Sequence, residues 1–194
     1  MNNTAQIKEL FDLVRLQDDE VAYKTLFIKL HKPLCQFAYS ILKSQQDAQD
    51  VVSDVFITIW EKRNQLTDIT SPLAYCYTAV KNRALNILKQ QKRQKELDNS
   101  EWLVPQNSVY FNPENLMMTE EIIQQIRLTI QNLPPRCRLI FKLTKDDGLK
   151  YREVAELLNI SVKTVEAQMA IAMRRLAKCM PLNLTTQAPK FIKK

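Results

Sequence analysis

The chain has 194 residues, 45% of them hydrophobic and 25% charged, enough for one ordinary core or two small ones and too apolar for wholesale disorder. Its formal net charge of +7 favours a polyanionic partner, although solubility alone can account for such a charge. One glycine, one histidine and four cysteines without CxxC spacing exclude a glycine-rich phosphate loop, a histidine-centred triad, a two-histidine metal site and a zinc ribbon, so no cofactor or metal is expected.

The first ten residues are polar and lack an apolar signal-peptide core. No stretch approaches the roughly 18 apolar residues of a membrane span, and a reduced, cytoplasmic protein that is not membrane-inserted is expected. Cys35 and Cys76 fall in apolar helical stretches and read as core thiols.

Nearly every segment carries the helical period. Ile7, Leu10, Phe11 and Val14 make one stripe, and Tyr23, Leu26, Phe27 and Leu30 a second. Leu34, Phe37, Ala38, Ile41 and Leu42 make a third, which Pro33 is expected to open at a helix-start position. Ser44 with Asp47 three residues on has capping-box spacing and precedes Ala48, Val51, Val52, Val55, Phe56 and Ile59. Ser71-Pro72 then starts a long helix, serine as cap and proline in the first turn, with the stripe Leu73, Tyr77, Val80, Ala84, Ile87 and Leu88. Residues 90–95 are wholly polar, and 96–112 show no period and read as a linker. Asn112-Pro113 starts a new helix carrying Ile122, Ile123, Ile126 and Ile130, broken at Leu133-Pro134-Pro135. A short helix with Leu139, Ile140 and Leu143 follows. Residues 181–194 lack a stripe and read as a loose basic tail. No run alternates with period two, so the fold is expected to be all-α, with helical domains at 1–95 and 113–180.

The most specific local pattern runs from Asp147 to Glu166. Val154, Ala155, Leu157 and Leu158 give a first helix its apolar face, Asn159 tolerates the left-handed turn, and Ile160 plugs the gap. Ser161 caps a second helix with the inward stripe Val165, Met169, Ala172 and Leu176. This is a helix-turn-helix, whose second helix enters the major groove of DNA. Lys163, Thr164, Ala167, Ala170 and Arg174 fall on its outward side, where small alanines permit close approach and Lys163, Arg174 and Arg175 can neutralise phosphates. A plain helical hairpin with a solvated basic face is the alternative.

The N-terminal half pairs opposite charges in sequence. Between Ser44 and Trp60 stand Asp47, Asp50 and Asp54 and no basic residue, at i, i+3 and i+7, on one face opposite the apolar stripe. They make either an ordinary solvated face or a dock for a basic partner. Residues 81–95 instead hold Lys81, Arg83, Lys89, Lys92, Arg93 and Lys95 and no acid, with Tyr75, Tyr77, Asn82 and Asn86 among or before them. Aromatics and amides beside cations suit strand-opened DNA, although core tyrosines on a solvated helix would look the same.

The run Asp47-Ala48-Gln49-Asp50-Val51-Val52-Ser53-Asp54-Val55-Phe56-Ile57-Thr58-Ile59-Trp60 resembles region 2 of the bacterial sigma factors, as do Pro72-Leu73-Ala74-Tyr75 and residues 80–86 after it. Leu133-Pro134-Pro135-Arg136-Cys137-Arg138 and the helix-turn-helix resemble region 4. Both blocks in this order, with a short linker and no region 3, resemble the extracytoplasmic-function (ECF) group, a match that covers roughly residues 20–180.

The resemblance implies a non-catalytic initiation factor with RNA polymerase core (its beta-prime and beta subunits) and promoter DNA as partners, and an anti-sigma factor as a common regulator. It implies that Asp47, Asp50 and Asp54 dock on the beta-prime clamp helices. The loop from Asn64 to Thr70 and the start of the next helix, with Tyr75, would capture a flipped base of the −10 element, and Lys81, Asn82 and Asn86 would lie near the melted strand. The linker would thread toward the RNA exit path. Ser161, Lys163, Thr164, Ala167, Ala170, Arg174 and Arg175 would read the −35 element. Asn159 stands where glycine is common in relatives, and Ile171 where many carry a basic residue. Two rivals are a helix-turn-helix regulator with an N-terminal dimerisation domain and a metal-dependent nuclease. The charge order of the N-terminal half argues against the first. The second fails because the three acids share one helix with no histidine, whereas two-metal sites gather acids from several elements.

Overall fold

The structure is a computed structural model that describes residues 3–67, 69–94 and 120–178. The linker expected over 96–112, the helix start at Asn112-Pro113 and the tail from Pro181 lie outside them. The chain divides into two compact units, Met1–Pro105 and Gln106–Lys194. Among the described residues every regular element is helical. None of these helices is long and apolar enough to cross a membrane.

In the first unit, α1 (Asn3–Gln17) buries Ile7, Phe11 and Val14 of the stripe read from its sequence and leaves Leu10 half-buried. The chain turns at Asp18, whose φ of 53° is left-handed, and Asp19 then caps the next helix. Its carboxylate accepts from the backbone N–H of Val21 at 2.8 Å and of Ala22 at 2.9 Å, satisfying two of the donors a helix start leaves open.

The second and third stripes are one helix, α2 (Glu20–Leu42), and Pro33 lies inside it rather than at a start. A proline within a helix costs about 3 kcal/mol. Leu26 and Leu30 before it and Leu34, Phe37, Ala38 and Ile41 after it are all buried. At about 1.5–3 kcal/mol for each large apolar side chain, that continuous face outweighs the lost hydrogen bond. The helix ends at Lys43, left-handed at φ 60°, whose N–H returns to the Tyr39 carbonyl at 3.0 Å.

Ser44 then caps α3 (Gln45–Glu61), accepting from the Asp47 N–H at 3.2 Å, and the expected stripe from Ala48 to Ile59 is buried. Aromatic contacts join α2 to α3: Tyr23 lies 4.9 Å from Trp60, and Phe27 meets Phe56 edge-on at 4.9 Å. A short 3-10 turn (Arg63–Gln65) leads toward α4 (Pro72–Gln94). Ser71 caps α4 weakly through the Ala74 N–H at 3.4 Å. Leu73, Cys76, Tyr77, Val80 and Ala84 fill the core from this helix. Cys76 is a core thiol, as expected, and burial pushes it up to about 12. Cys35 sits half-buried at the core's edge, its sulfur 3.6 Å from His31 Nε2.

In the second unit α5 (Glu120–Gln131) buries Ile126 and Ile130. Two arginines satisfy carbonyls at its end: Arg138 donates to Gln131 O at 2.6 Å and Arg175 to Asn132 O at 2.9 Å. Pro135 opens α6 (Pro135–Phe141), which runs into a π-helical turn (Lys142–Asp146). Gly148, at φ 85°, closes that turn and lets the Leu149 N–H reach back to Leu143 O at 2.9 Å. The chain's one glycine stands where a left-handed residue is needed. The helices α7 (Tyr151–Leu158) and α8 (Val162–Ala177) complete the unit.

Candidate nucleic-acid interface

The α7–α8 junction has the geometry its sequence predicts. Asn159 is left-handed at φ 53°, ψ 52°, and the Ile160 N–H bonds back to Ala155 O at 2.9 Å. Ser161 caps α8, accepting from the Thr164 N–H at 3.0 Å. Val165, Met169, Ala172 and Leu176 are buried, and α6 packs beneath α8.

The opposite face is the solvent face. Lys163, Ala167, Ala170 and Arg174 are exposed and recur at i, i+4, i+7 and i+11, one line along the helix. Three other candidates lie off this line or are already engaged. The Ser161 and Thr164 hydroxyls bond each other at 2.8 Å across the helix start. Arg175 is exposed but is turned back to Asn132.

In the first unit the acidic face of α3 is divided. Asp50 is exposed and has no ion-pair partner among the described residues. Asp54 is half-exposed and binds Arg83 of α4 at 2.5 Å. Gln91 of α4 donates to Asp47 at 3.4 Å, the long end of a hydrogen bond. The three acids lie opposite the apolar stripe of α3, as their spacing predicts, and two of them also touch the neighbouring helix.

On α4, Tyr75, Asn82 and Asn86 recur at i, i+7 and i+11 and share the side turned away from the core. Both asparagines are exposed. Tyr75 is half-buried, its ring edge-on to Phe11 of α1 at 6.3 Å, and burial raises its phenol above the usual range with a smaller push from Cys76. Lys81 is half-buried on one flank, and Arg83 stands on the other. Tyr77 is 0% exposed and packs edge-on to Phe37 at 5.1 Å, so it belongs to the core and is unavailable to a base. The side chains of Lys92, Arg93 and Lys95 lie outside the described residues.

Asn64 is exposed in the 3-10 turn between α3 and α4. Arg63 beside it anchors that turn. Its guanidinium donates to Trp60 O at 2.7 Å, lies 4.4 Å over the Trp60 ring and binds Asp18 at the α1–α2 junction. Through Asp18 and Phe11, α1 and its end support both the turn and the start of α4. No spacing rule links Arg63 to Asp18 or Phe11 to Tyr75, so these two contacts left no signal in the sequence.

Comparison with known proteins fits this geometry. Residues 26–94 match the family model of Sigma-70 region 2, and residues 123–176 that of Sigma-70, region 4. The ECF RNA polymerase sigma-E factor of Escherichia coli is 27% identical over 158 residues, covering 78% of this chain and 82% of that one. The RNA polymerase sigma-H factor of Pseudomonas aeruginosa is 23% identical over 186 residues, covering 90% and 94%. The solved sigma factor RpoE of Bartonella quintana, in complex with the anti-sigma factor NepR, aligns at a TM-score of 0.49 and 19% identity, over 81% of this chain and 95% of that one. Region 2 followed by region 4, each on its own helical unit, makes this chain a sigma factor of the ECF group, a non-catalytic transcription initiation factor that binds RNA polymerase core and promoter DNA.

Proposed function

We propose that α8 reads duplex −35 DNA, that the outer face of α3 docks on the polymerase, and that α4 with the turn before it holds an opened −10 strand. The observation that carries this reading is the exposed line Lys163, Ala167, Ala170 and Arg174 on the second helix of a helix-turn-helix whose opposite line is the core. The alanines let the helix lie close to base edges, and the two cations meet phosphates at its ends. Ser161 and Thr164 hold the helix start, with Arg175 fixing its far end.

In the first unit, Asp50 offers an open carboxylate to a basic partner, flanked by Asp47 and Asp54. Asn64 and Tyr75 frame the proposed pocket for an extruded base, and Asn82 and Asn86 continue the line along the strand, with Lys81 beside its backbone. Extruding a base costs a few kcal/mol, which stacking and pocket contacts must offset, so opening is driven by tighter binding of the opened form. The functional boundaries proposed are 1–95 and 113–180, with 96–112 as linker and 181–194 as basic tail, and the two matched regions fall inside them. The cytoplasm, where polymerase and promoters reside, is the proposed location. An anti-sigma factor is the proposed regulator, as membership of the ECF group implies.

Transcription from a promoter library with purified core polymerase tests the whole reading. Transcripts that start only when this chain is present are expected, and a library without any would overturn it. Lys163→Ala and Arg174→Ala should each weaken promoter binding and lower the slope of log affinity against log salt by about 1. Unchanged slopes would remove both residues from the DNA face.

A further inference from the structure

We propose that Arg83 competes internally for the docking carboxylate of Asp54, so that capture of α3 by polymerase frees a cation on α4 for the promoter strand. The inference rests on the docking role of α3 proposed above. The Arg83–Asp54 pair spans 2.5 Å and joins the two helices assigned to different partners. Its side chains remain 52% and 44% exposed, so each can be reached by a competitor without opening the core. Gln91 meets Asp47 from the same helix, about two turns further along. The edge of α4 therefore occupies two of the three docking acids and leaves Asp50 open.

An exposed pair of this kind is weak, which suits an exchangeable contact rather than a structural staple. A basic group of the polymerase that takes Asp54 must first displace the guanidinium. Once displaced, Arg83 lies next to Asn82 and one turn from Asn86, on the flank of the exposed line that begins at Tyr75. By reciprocity, a phosphate that draws Arg83 away exposes Asp54 and strengthens docking. Core and promoter strand would then favour each other through one shared side chain.

The competing account, in which the pair only fastens α3 to α4, differs in sign. The test measures binding of the full-length chain to core polymerase, and of the resulting holoenzyme to a single-stranded −10 oligonucleotide. Since an exposed pair contributes no more than about 1 kcal/mol, Arg83→Gln should tighten core binding by about two- to five-fold. It should at the same time weaken oligonucleotide binding and lower its salt slope. Arg83→Lys should return both toward the wild type, and in an Asp54→Asn background Arg83→Gln should no longer alter core binding. A structural staple would weaken both together. Core binding that is unchanged or weaker in Arg83→Gln, and equally in Arg83→Met as a second charge-removing variant, would overturn the inference. Asp50→Arg serves as the control for the underlying reading: normal core binding by that variant would overturn both proposals, whereas its loss alongside an unmoved Arg83→Gln would overturn this one alone.

Discussion

Asp50→Arg should reduce the affinity of the chain for RNA polymerase core by about 30-fold or more, because placing like charge against a basic partner costs several kcal/mol and each 1.4 kcal/mol is about tenfold. Asp50 is the acid best suited to show this. It is exposed on α3 and has no ion-pair partner among the described residues, whereas Asp47 and Asp54 are engaged by α4. Arginine is a good helix former, so α3 itself should tolerate the change. The melting temperature should stay within a degree or two of the wild type, by the usual insensitivity of surface sites. Asp50→Asn should lose less, since it removes attraction without adding repulsion. Fluorescence anisotropy of labelled chain titrated with core measures all three, and wild-type affinity in Asp50→Arg would exclude this face from the interface.

The second large effect concerns Asp146, in the π-helical turn ahead of the helix-turn-helix. One of its carboxylate oxygens is buried without a hydrogen-bond partner among the described residues. Burial pushes the group from its ordinary 3.8 up to about 7, with Asp147 adding to the rise and Lys142 opposing it. Asp147 beside it accepts from Lys142 through both oxygens at 2.8 Å. The folded chain thus keeps a proton on Asp146 that the unfolded chain releases near pH 4. Between about pH 4 and 7 folding takes up a proton, so this unit gains stability on acidification and loses it as the pH rises to neutrality. Asp146→Asn mimics the protonated form and should flatten that dependence. At pH 8 it should stabilise the second unit by on the order of 2–4 kcal/mol, from a shift of about three units at about 1.4 kcal/mol each. Hydrogen exchange of the α6 and α8 amides at pH 6 and 8, corrected for intrinsic rates, reads this unit apart from the first. Equal protection in variant and wild type at pH 8 would refute the expectation.

Local rules carried the reading of the sequence a long way. Ser44, Ser71 and Ser161 cap the helices they precede, Asn159 takes the left-handed turn, and the apolar stripes from Ile7 to Leu176 form the two cores. Each is decided within one or two helical turns, where spacing and side-chain chemistry suffice. Pro33 misled because propensity treats a proline as a boundary, while tertiary burial on both sides kept α2 continuous. Tyr77 belonged equally to the apolar stripe and to the aromatic set beside the cations, and packing on Phe37 decides for the stripe. The contacts of Arg83 with Asp54, Gln91 with Asp47, Arg63 with Asp18 and Arg175 with Asn132 join residues far apart in the chain, and nothing in one sequence marks them.

The hydrogen bond from Arg175 to Asn132 has a mechanical consequence. The 16 residues of α8 make a rod about 24 Å long, so a 5° swing about its C-terminal end would carry Lys163 about 2 Å sideways. Two ångströms is the difference between meeting a base edge and missing it. The accuracy of the helix tip is therefore set at its opposite end, where one guanidinium clasps a carbonyl beyond α5 and fixes the pivot.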